Sequence, residues 1–352
     1  MKILKTAVVG LGRIGWQFHI PQILSHKEQF SLVGVVDVAQ DRLDEAKEKF
    51  GVNGYTDVAA MIEAEHPDLV VICSPTHLHP DHACTAMRMG CDVFLDKPMA
   101  IDYTSAKQIA DFAEESGRKL MVYQPHRGKA VDNQIKSIID SGIIGKPYLI
   151  SLASWSYNRR SDWQSLVKYG GGMLNNYGAH YIDLLLYFAG EKVSRLHCIT
   201  KKAISVGDAD DVVKAIFETE NGTVLNLDIS QAAALAGPTF SIMGPYGAVI
   251  CQSNSGRDPI RVRWFDPKEV PEVEVSEELA AAGRKYNQDD AFPWHEEEIK
   301  PDPSYNVDFY QKAYEFYAEG KAPYVAVSET LAVMELIDKC HESAEGGVSG
   351  CE

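Results

Sequence analysis

Over the first 125 residues, short unbroken apolar runs alternate with segments whose apolar positions recur at helical spacing. The runs are Thr6-Ala7-Val8-Val9, Leu32 to Val36, Leu69 to Cys73, Val93-Phe94-Leu95 and Leu120 to Tyr123. Helix-like stretches at Asp41 to Phe50, Asp81 to Met89 and Thr104 to Ser116 fill intervals between them. A strand that is apolar at every position has both faces covered, the condition of a parallel sheet between two helical layers. The pattern predicts an α/β, doubly wound dinucleotide-binding (Rossmann) domain over residues 1–125.

From residue 126 the rhythm changes. A helix is expected at Lys129 to Asp140, closing at Ser141-Gly142. Strand-like runs then follow one another: Tyr148 to Ser154, Val193 to Thr200, Val212 to Glu218, Val224 to Ser230, Thr239 to Met243 and Ile260 to Phe265. Asn221-Gly222 is a hairpin signal between two of them. One helix, Gly172 to Phe188, interrupts the series, and two more close the chain, at Val307 to Glu319 and Ser328 to Ser343. Consecutive strands imply a mostly antiparallel open sheet, so residues 126–352 read as an α+β domain for substrate binding and oligomerisation. Val270 to Ser304, rich in Glu, Asp and Pro and without a period, is expected to be a solvated loop or a subunit-edge excursion.

Composition narrows the partners. A chain of 352 residues is long enough for two cores. The net charge of −16 argues against a nucleic-acid backbone or an anionic membrane as partner, because both need a basic face. The 7 cysteines are odd in number and form no C-x-x-C, which suggests reduced thiols in a cytoplasmic protein. The first strand starts too early to leave room for a signal peptide, and no apolar stretch is long enough to span a bilayer.

The chemistry concentrates in two motifs. Gly10-Leu11-Gly12-Arg13-Ile14-Gly15 follows a strand and opens a helix, where backbone N–H groups and the helix dipole suit a pyrophosphate. Asp37 ends the next strand, 22 residues after Gly15. A carboxylate there accepts hydrogen bonds from ribose hydroxyls and repels a 2′-phosphate, which favours NAD over NADP, although Arg42 is within reach of the same ribose. Asp96-Lys97-Pro98 brings a lysine to the carboxyl edge of a later strand, where such sheets bind ligands. Asn176, His180 and Asp183, spaced four and three apart, fall along one face of the helix that follows Gly170-Gly171-Gly172.

With these motifs the chain resembles the glucose–fructose oxidoreductase / inositol dehydrogenase (Gfo/Idh/MocA) family over essentially its whole length. The resemblance rests on the glycine motif, Ser74-Pro75-Thr76-His77-Leu78-His79, and Asp96-Lys97-Pro98, where the family usually has Glu-Lys-Pro. It rests also on the glycine-rich helix with His180 and on the closing segment from Phe309-Tyr310-Gln311 to Pro323-Tyr324-Val325. It implies a nicotinamide-dependent oxidation or reduction of a sugar or polyol hydroxyl, with Lys97 and His180 as the catalytic pair and Asn176 beside them. It further implies cofactor contacts from Gly10, Gly12, Arg13, Ile14, Gly15, Asp37, Ser74, Pro75, His79, Asp96, Lys97 and Gln124. Many members carry aspartate at the position of Asn176, which puts a carboxylate–histidine relay in doubt here. The family's habit of forming dimers and tetramers implies a homodimer or homotetramer.

Other residues carry two readings each. His77, His79 and His82 invite a zinc site, but their place after a strand of a dinucleotide fold favours a cofactor-side or surface role, and no metal is expected. Arg127 binds substrate or forms a structural ion pair. In Trp155-Ser156-Tyr157-Asn158-Arg159-Arg160-Ser161-Asp162-Trp163, aromatic rings and arginines suit a sugar, and Tyr157, Arg159 and Trp163 are the substrate candidates alongside Lys97, Asn176 and His180. The leading function is NAD-dependent oxidation of a secondary hydroxyl of a sugar, glycoside or polyol. The rivals are a glycosidase that uses bound NAD transiently and a non-catalytic dinucleotide or sugar sensor.

Overall fold

The computed structural model describes residues 2–253, 255–273, 275 and 291–346. Six strands form a wholly parallel sheet: β1 (Leu4–Val9), β2 (Phe30–Val36), β3 (Asn53–Tyr55), β4 (Leu69–Ile72), β5 (Asp92–Asp96) and β6 (Leu120–Tyr123). Their order is β3-β2-β1-β4-β5-β6, which places the reversal of strand order between β1 and β4. Helices α1 (Ile20–Ser25), α2 (Gln40–Phe50), α3 (Val58–Glu65), α4 (His79–Arg88) and α5 (Tyr103–Ser116) connect the strands.

The alternation along each strand divides its side chains between two cores. Leu69, Val71, Phe94 and Met121 face one cluster; Val70, Ile72, Val93, Leu95, Leu120 and Val122 face the other. Both faces are dry, which is why these strands read as unbroken apolar runs. The first cluster is completed from the far end of the chain: Phe309, Tyr310, Ala313, Tyr314 and Tyr317 of α8 (Phe309–Tyr317) pack among Phe30, Phe94 and Met121.

After α6 (Ala130–Asp140) comes an eight-stranded sheet. Its strands are β7 (Leu149–Trp155), β8 (Val193–Lys201), β9 (Val212–Thr219), β10 (Val224–Ser230), β11 (Phe240–Gly244), β12 (Gly247–Cys251), β13 (Ile260–Trp264) and β14 (His295–Ile299). The order is β14-β13-β12-β11-β7-β10-β9-β8, antiparallel throughout except for β7 against β10. Asn221-Gly222 turns β9 into β10 as expected, with Gly222 at φ 80°. α7 (Ala179–Ala189) and α9 (Val327–Glu345) cover one face of this sheet. The other face carries cross-strand charge pairs, Lys214 with Asp228 and Arg261 with Glu296 and Glu298.

Four short or polar elements escape the hydrophobic pattern. β3, α3 and β12 have no counterpart among the elements expected from sequence. The expected loop at 270–304 is corrected in part: His295-Glu296-Glu297-Glu298-Ile299 forms the edge strand β14. Its glutamates are placed by pairing with arginines of β13, so burial leaves no signature in them. Residues 274 and 276–290 of that stretch lie outside the described residues.

Candidate active site

The carboxyl ends of β1, β2, β4 and β5 open into one cleft. Two cavities of about 470 and 400 Å³ share Gly10, Asp37, Arg42, Ser74 and Pro75. Gly10 leaves β1 at φ 97°, and a Cβ there would lie 2.7 Å from the Ser74 nitrogen. A Cβ on Gly15 would stand 2.0 Å from the Gly10 oxygen, so this glycine lets the following helix close onto the strand. Gly12 faces open space, as a backbone that must approach a phosphate requires. Arg13 and Ile14 line the cavity beside it. Asp37 is buried and accepts from the backbone nitrogens of Leu11 at 2.7 Å and Ala39 at 3.0 Å, with the Arg42 guanidinium at 3.2 Å. These features fit a dinucleotide: a cradle that side chains would fill, and a carboxylate fixed at the end of β2.

Ser74 and Pro75 form the opposite wall. His79, at the start of α4, is fully buried, and its ring spans the Ser74 carbonyl at 2.9 Å and the Pro98 carbonyl at 3.0 Å. It thereby ties the loop after β4 to the loop that carries Lys97. Burial pushes its pKa down to about 4 against the opposing pull of these carbonyls, and the neutral ring, with one N–H, donates to one of the two and only packs on the other.

Lys97 follows β5 at the deep end of the larger cavity, beside Asp96, Arg160, Trp163 and Gln164. Its Nζ donates to the Asn176 backbone oxygen at 3.1 Å and to Asn176 Oδ1 at 3.0 Å. Asn176 Nδ2 in turn donates to Gln164 Oε1 at 3.3 Å. Burial lowers the Lys97 pKa to about 8; Asp96 opposes that shift, while Arg160 and Arg13 add to it. Asp96, raised to about 6 by its own burial, is the carboxylate whose charge acts on Lys97.

His180 stands one helical turn beyond Asn176 and is half-buried. The two belong to a π-helical turn (Leu174–Gly178) that runs into α7. Asp210 fixes the start of that turn: its Oδ2 accepts from the Leu174 nitrogen at 3.0 Å. The His180 pKa falls well below that of a free histidine, first through burial and then through the charges of Lys97, His126 and Lys129. Lys97 lines the cavity; Asn176 and His180 do not, Asn176 lying behind it on Lys97 and Gln164.

Family comparison accords with this cleft. Residues 4–124 match the model described as the oxidoreductase family, NAD-binding Rossmann fold, and residues 133–250 match the GFO/IDH/MocA C-terminal domain. The chain belongs to the Gfo/Idh/MocA oxidoreductase family. It is 28% identical over 197 residues to the D-glucoside 3-dehydrogenase of Escherichia coli K12, covering 53% of this chain and 54% of that protein. It is 25% identical over 236 residues to the myo-inositol 2-dehydrogenase of Thermotoga maritima, covering 65% and 69%. The match therefore spans about half the length of the first relative and somewhat more of the second. A crystal structure of an NAD-binding protein from Listeria innocua superposes with a TM-score of 0.84 at 23% identity, covering 98% of this chain and 96% of that one. The WlbA dehydrogenase of Bordetella pertussis, solved with NADH and UDP-GlcNAcA, gives 0.79 at 21% identity over 99% and 98%. At these identities both are likenesses of fold.

In this Gfo/Idh/MocA member several sequence candidates stand elsewhere than expected. Arg127 realises the ion-pair alternative and is corrected as a substrate candidate: it is buried, with Nε and Nη2 on Asp183 at 2.8 and 2.6 Å and Nη1 on Glu329 at 2.7 Å. That leaves its guanidinium no free edge for a ligand. Tyr157 and Arg159 are exposed and do not line the cleft; Arg160 and Gln164 do, with Trp163. Asp162 decides this by gripping the Arg160 guanidinium at 2.9 Å and capping the turn Trp163–Ser165. Gln124 is buried against α7, where its Nε2 reaches the Ala179 oxygen at 3.4 Å, and does not line the cleft either. The three histidines of the His77 segment have separate partners: His77 packs on Tyr169, His79 on carbonyls, and His82 on the Ser74 hydroxyl at 2.9 Å. His126, Lys129 and Asp132, which gather beside His180, were missed; a histidine in a turn and a charge at a helix start give no signal before the chain is folded.

Proposed function

We propose that this protein is an NAD-dependent dehydrogenase that oxidises a secondary hydroxyl of a sugar, glycoside or polyol. The observation that carries the reading is Lys97, held on Asn176 at the deep end of a dinucleotide cleft and next to a neutral His180. The names of the relatives, a D-glucoside 3-dehydrogenase and a myo-inositol 2-dehydrogenase, point to the same substrate class.

Oxidation of an alcohol removes a proton from oxygen and a hydride from carbon. His180, neutral because of its burial and its cationic neighbours, takes the proton. Lys97 donates a hydrogen bond to the same oxygen and stabilises negative charge as it develops. Asn176 fixes the ammonium by accepting from it through two oxygens. NAD, when bound, supplies the hydride acceptor. Gly10, Gly12, Arg13, Ile14 and Gly15 would hold its pyrophosphate, Asp37 its adenosine ribose, and Ser74, Pro75, His79 and Asp96 the wall toward Lys97. The Asp37 carboxylate, which Arg42 already faces, favours NAD over NADP. Trp163, Arg160 and Gln164 face the substrate side.

Mixing the protein with NAD and a panel of free sugars, inositols, sugar phosphates and glycosides tests the reading. A substrate-dependent rise in reduced-nicotinamide absorbance is expected for at least one class. Release of a glycoside's leaving group without net reduction of NAD would replace this reading with a glycosidase cycle.

A further inference from the structure

Beside His180 lies a group of buried polar side chains that the reaction as described leaves unused. The His126 ring, in the single helical turn after β6, has its centroid 4.7 Å from that of His180. Its Nδ1 is 3.5 Å from Oδ2 of Asp132, a fully buried carboxylate in the first turn of α6. Among the described residues, that 3.5 Å approach aside, neither oxygen of Asp132 and neither Nδ1 atom of His126 and His180 has a hydrogen-bond partner. An ionised carboxylate enclosed without hydrogen bonds costs several kcal/mol, so its place beside two imidazoles calls for a reason.

The charges around the pair supply one. Lys97, after β5, His126 when it carries a proton, and Lys129, before α6, all act on His180 and disfavour its protonated form. Asn176, its neighbour one turn back, carries no charge. Of the carboxylates that interact with His126, Asp183 of α7 is already paired with Arg127, and Asp132 is not. Tyr181 of α7 and Cys251 of β12 complete the ionisable surroundings, and the field of Asp132 disfavours ionisation of both. A base in such a site, flanked by two ammonium groups, is weak unless an anion stands behind it.

We propose that Asp132, acting through His126, is the anion that offsets the charge His180 acquires when it accepts a substrate's hydroxyl proton. This rests on the proposed role of His180. The proton leaves the substrate oxygen for His180, the hydride leaves its carbon for the nicotinamide, and a carbonyl remains; Asp132 and His126 ease the first transfer and exchange no atoms with the substrate. Both are positioning residues. Burial brings their proton affinities toward each other, raising Asp132 and lowering His126, so charge is shared between them at small cost.

Asp132→Asn, of equal size, removes the anion. NMR titration of isotope-labelled histidines in the full chain, without substrate, is expected to show His180 and His126 titrating about one pH unit lower than in the unaltered protein. With a substrate from the panel, the acid limb of kcat/KM is expected to move the same way, and the plateau to fall about tenfold or more. NAD affinity is expected to be unchanged. Adding Asn176→Asp to Asp132→Asn sets a carboxylate beside Lys97 and is expected to restore part of both the rate and the limb, which a packing role for Asp132 does not allow. A His180 titration indifferent to Asp132→Asn overturns the proposal. Shifted titrations in a protein with no dehydrogenase turnover support the coupling and overturn only the reading of the reaction.

Discussion

At the scale of single residues, burial sets the chemistry of the cleft more than any ion pair does. Lys97 is lowered to about 8 mainly by desolvation, with Asp96 too weak an opposing charge to restore it. Its hydrogen bond to a developing alkoxide therefore weakens as the ammonium is lost. The expected result is a kcat/KM that falls above about pH 8. In Lys97→Arg, whose guanidinium stays charged, that alkaline limb is expected to disappear even as the plateau drops. A pH–rate series on the two proteins checks this.

His19 shows the same physics acting on stability. It is fully buried, with Nδ1 2.8 Å from the Tyr310 hydroxyl and Nε2 unpaired, and burial lowers its pKa to about 3. The unfolded chain binds a proton near pH 6.5 and the folded chain does not until about pH 3. Stability is therefore highest above pH 6.5 and is lost as pH falls through that window, at up to about 1.4 kcal/mol per unit. Between pH 7 and pH 5 this residue alone is expected to remove about 2 kcal/mol. Urea unfolding at the two pH values checks it, and His19→Asn is expected to have the shallower pH dependence.

At the scale of elements, the helix that carries Asn176 and His180 is positioned by groups outside the reaction. Asp210 caps its first turn, and Arg127 binds it through Asp183 while reaching Glu329 at the start of α9. Arg127→Met leaves Asp183 charged and enclosed, which is expected to cost about 3–5 kcal/mol in denaturant unfolding. Glu329→Gln, at a half-exposed carboxylate, is expected to cost about 1 kcal/mol or less. If Arg127 were instead a substrate contact, its loss would raise KM and leave stability nearly intact.

The elements also show what the sequence makes legible. Strands buried on both faces, such as Leu69–Ile72 and Leu120–Tyr123, announce themselves, and so does the alternating Val212–Thr219. The glycine motif, Lys97 and His180 were legible because each combines a residue type with a position in the fold. Asn53–Tyr55 is too short to carry a period, and Glu296-Glu297-Glu298 pairs with β13, where Arg261 meets Glu296 and Glu298, without any apolar alternation to announce it. Within the loop after β7, sequence favoured Arg159, whereas the Asp162 grip turns Arg160 to the cleft. Adjacent arginines are indistinguishable until the loop's own hydrogen bonds are known. The Arg127 pair and the His126–Asp132 contact join elements remote in the chain or offset across a turn, and neither leaves a motif.

At the scale of the whole molecule, the first sheet is not closed by the first 125 residues. α8 contributes Phe309, Tyr310, Tyr314 and Tyr317 to the core around Phe30 and Phe94; the Tyr314 hydroxyl donates to the Lys2 oxygen at 2.8 Å and that of Tyr317 to the Val93 oxygen. At about 2 kcal/mol for each large buried side chain, the loss approaches the whole stability of a domain. A fragment of residues 1–125 is therefore expected to lack dispersed amide resonances and a cooperative unfolding transition, despite containing the complete glycine motif and Lys97. A well-dispersed spectrum from that fragment would show that α8 is dispensable.

The reaction assigned to the cleft stands or falls with Lys97 and His180. The most direct measurement is turnover of Lys97→Ala and His180→Ala with NAD and a substrate from the panel, taken beside calorimetric NAD affinity for the same proteins. The account expects both variants to lose about a hundredfold or more in kcat while NAD binding stays within a few fold of the unaltered protein. Undiminished turnover in both would contradict it.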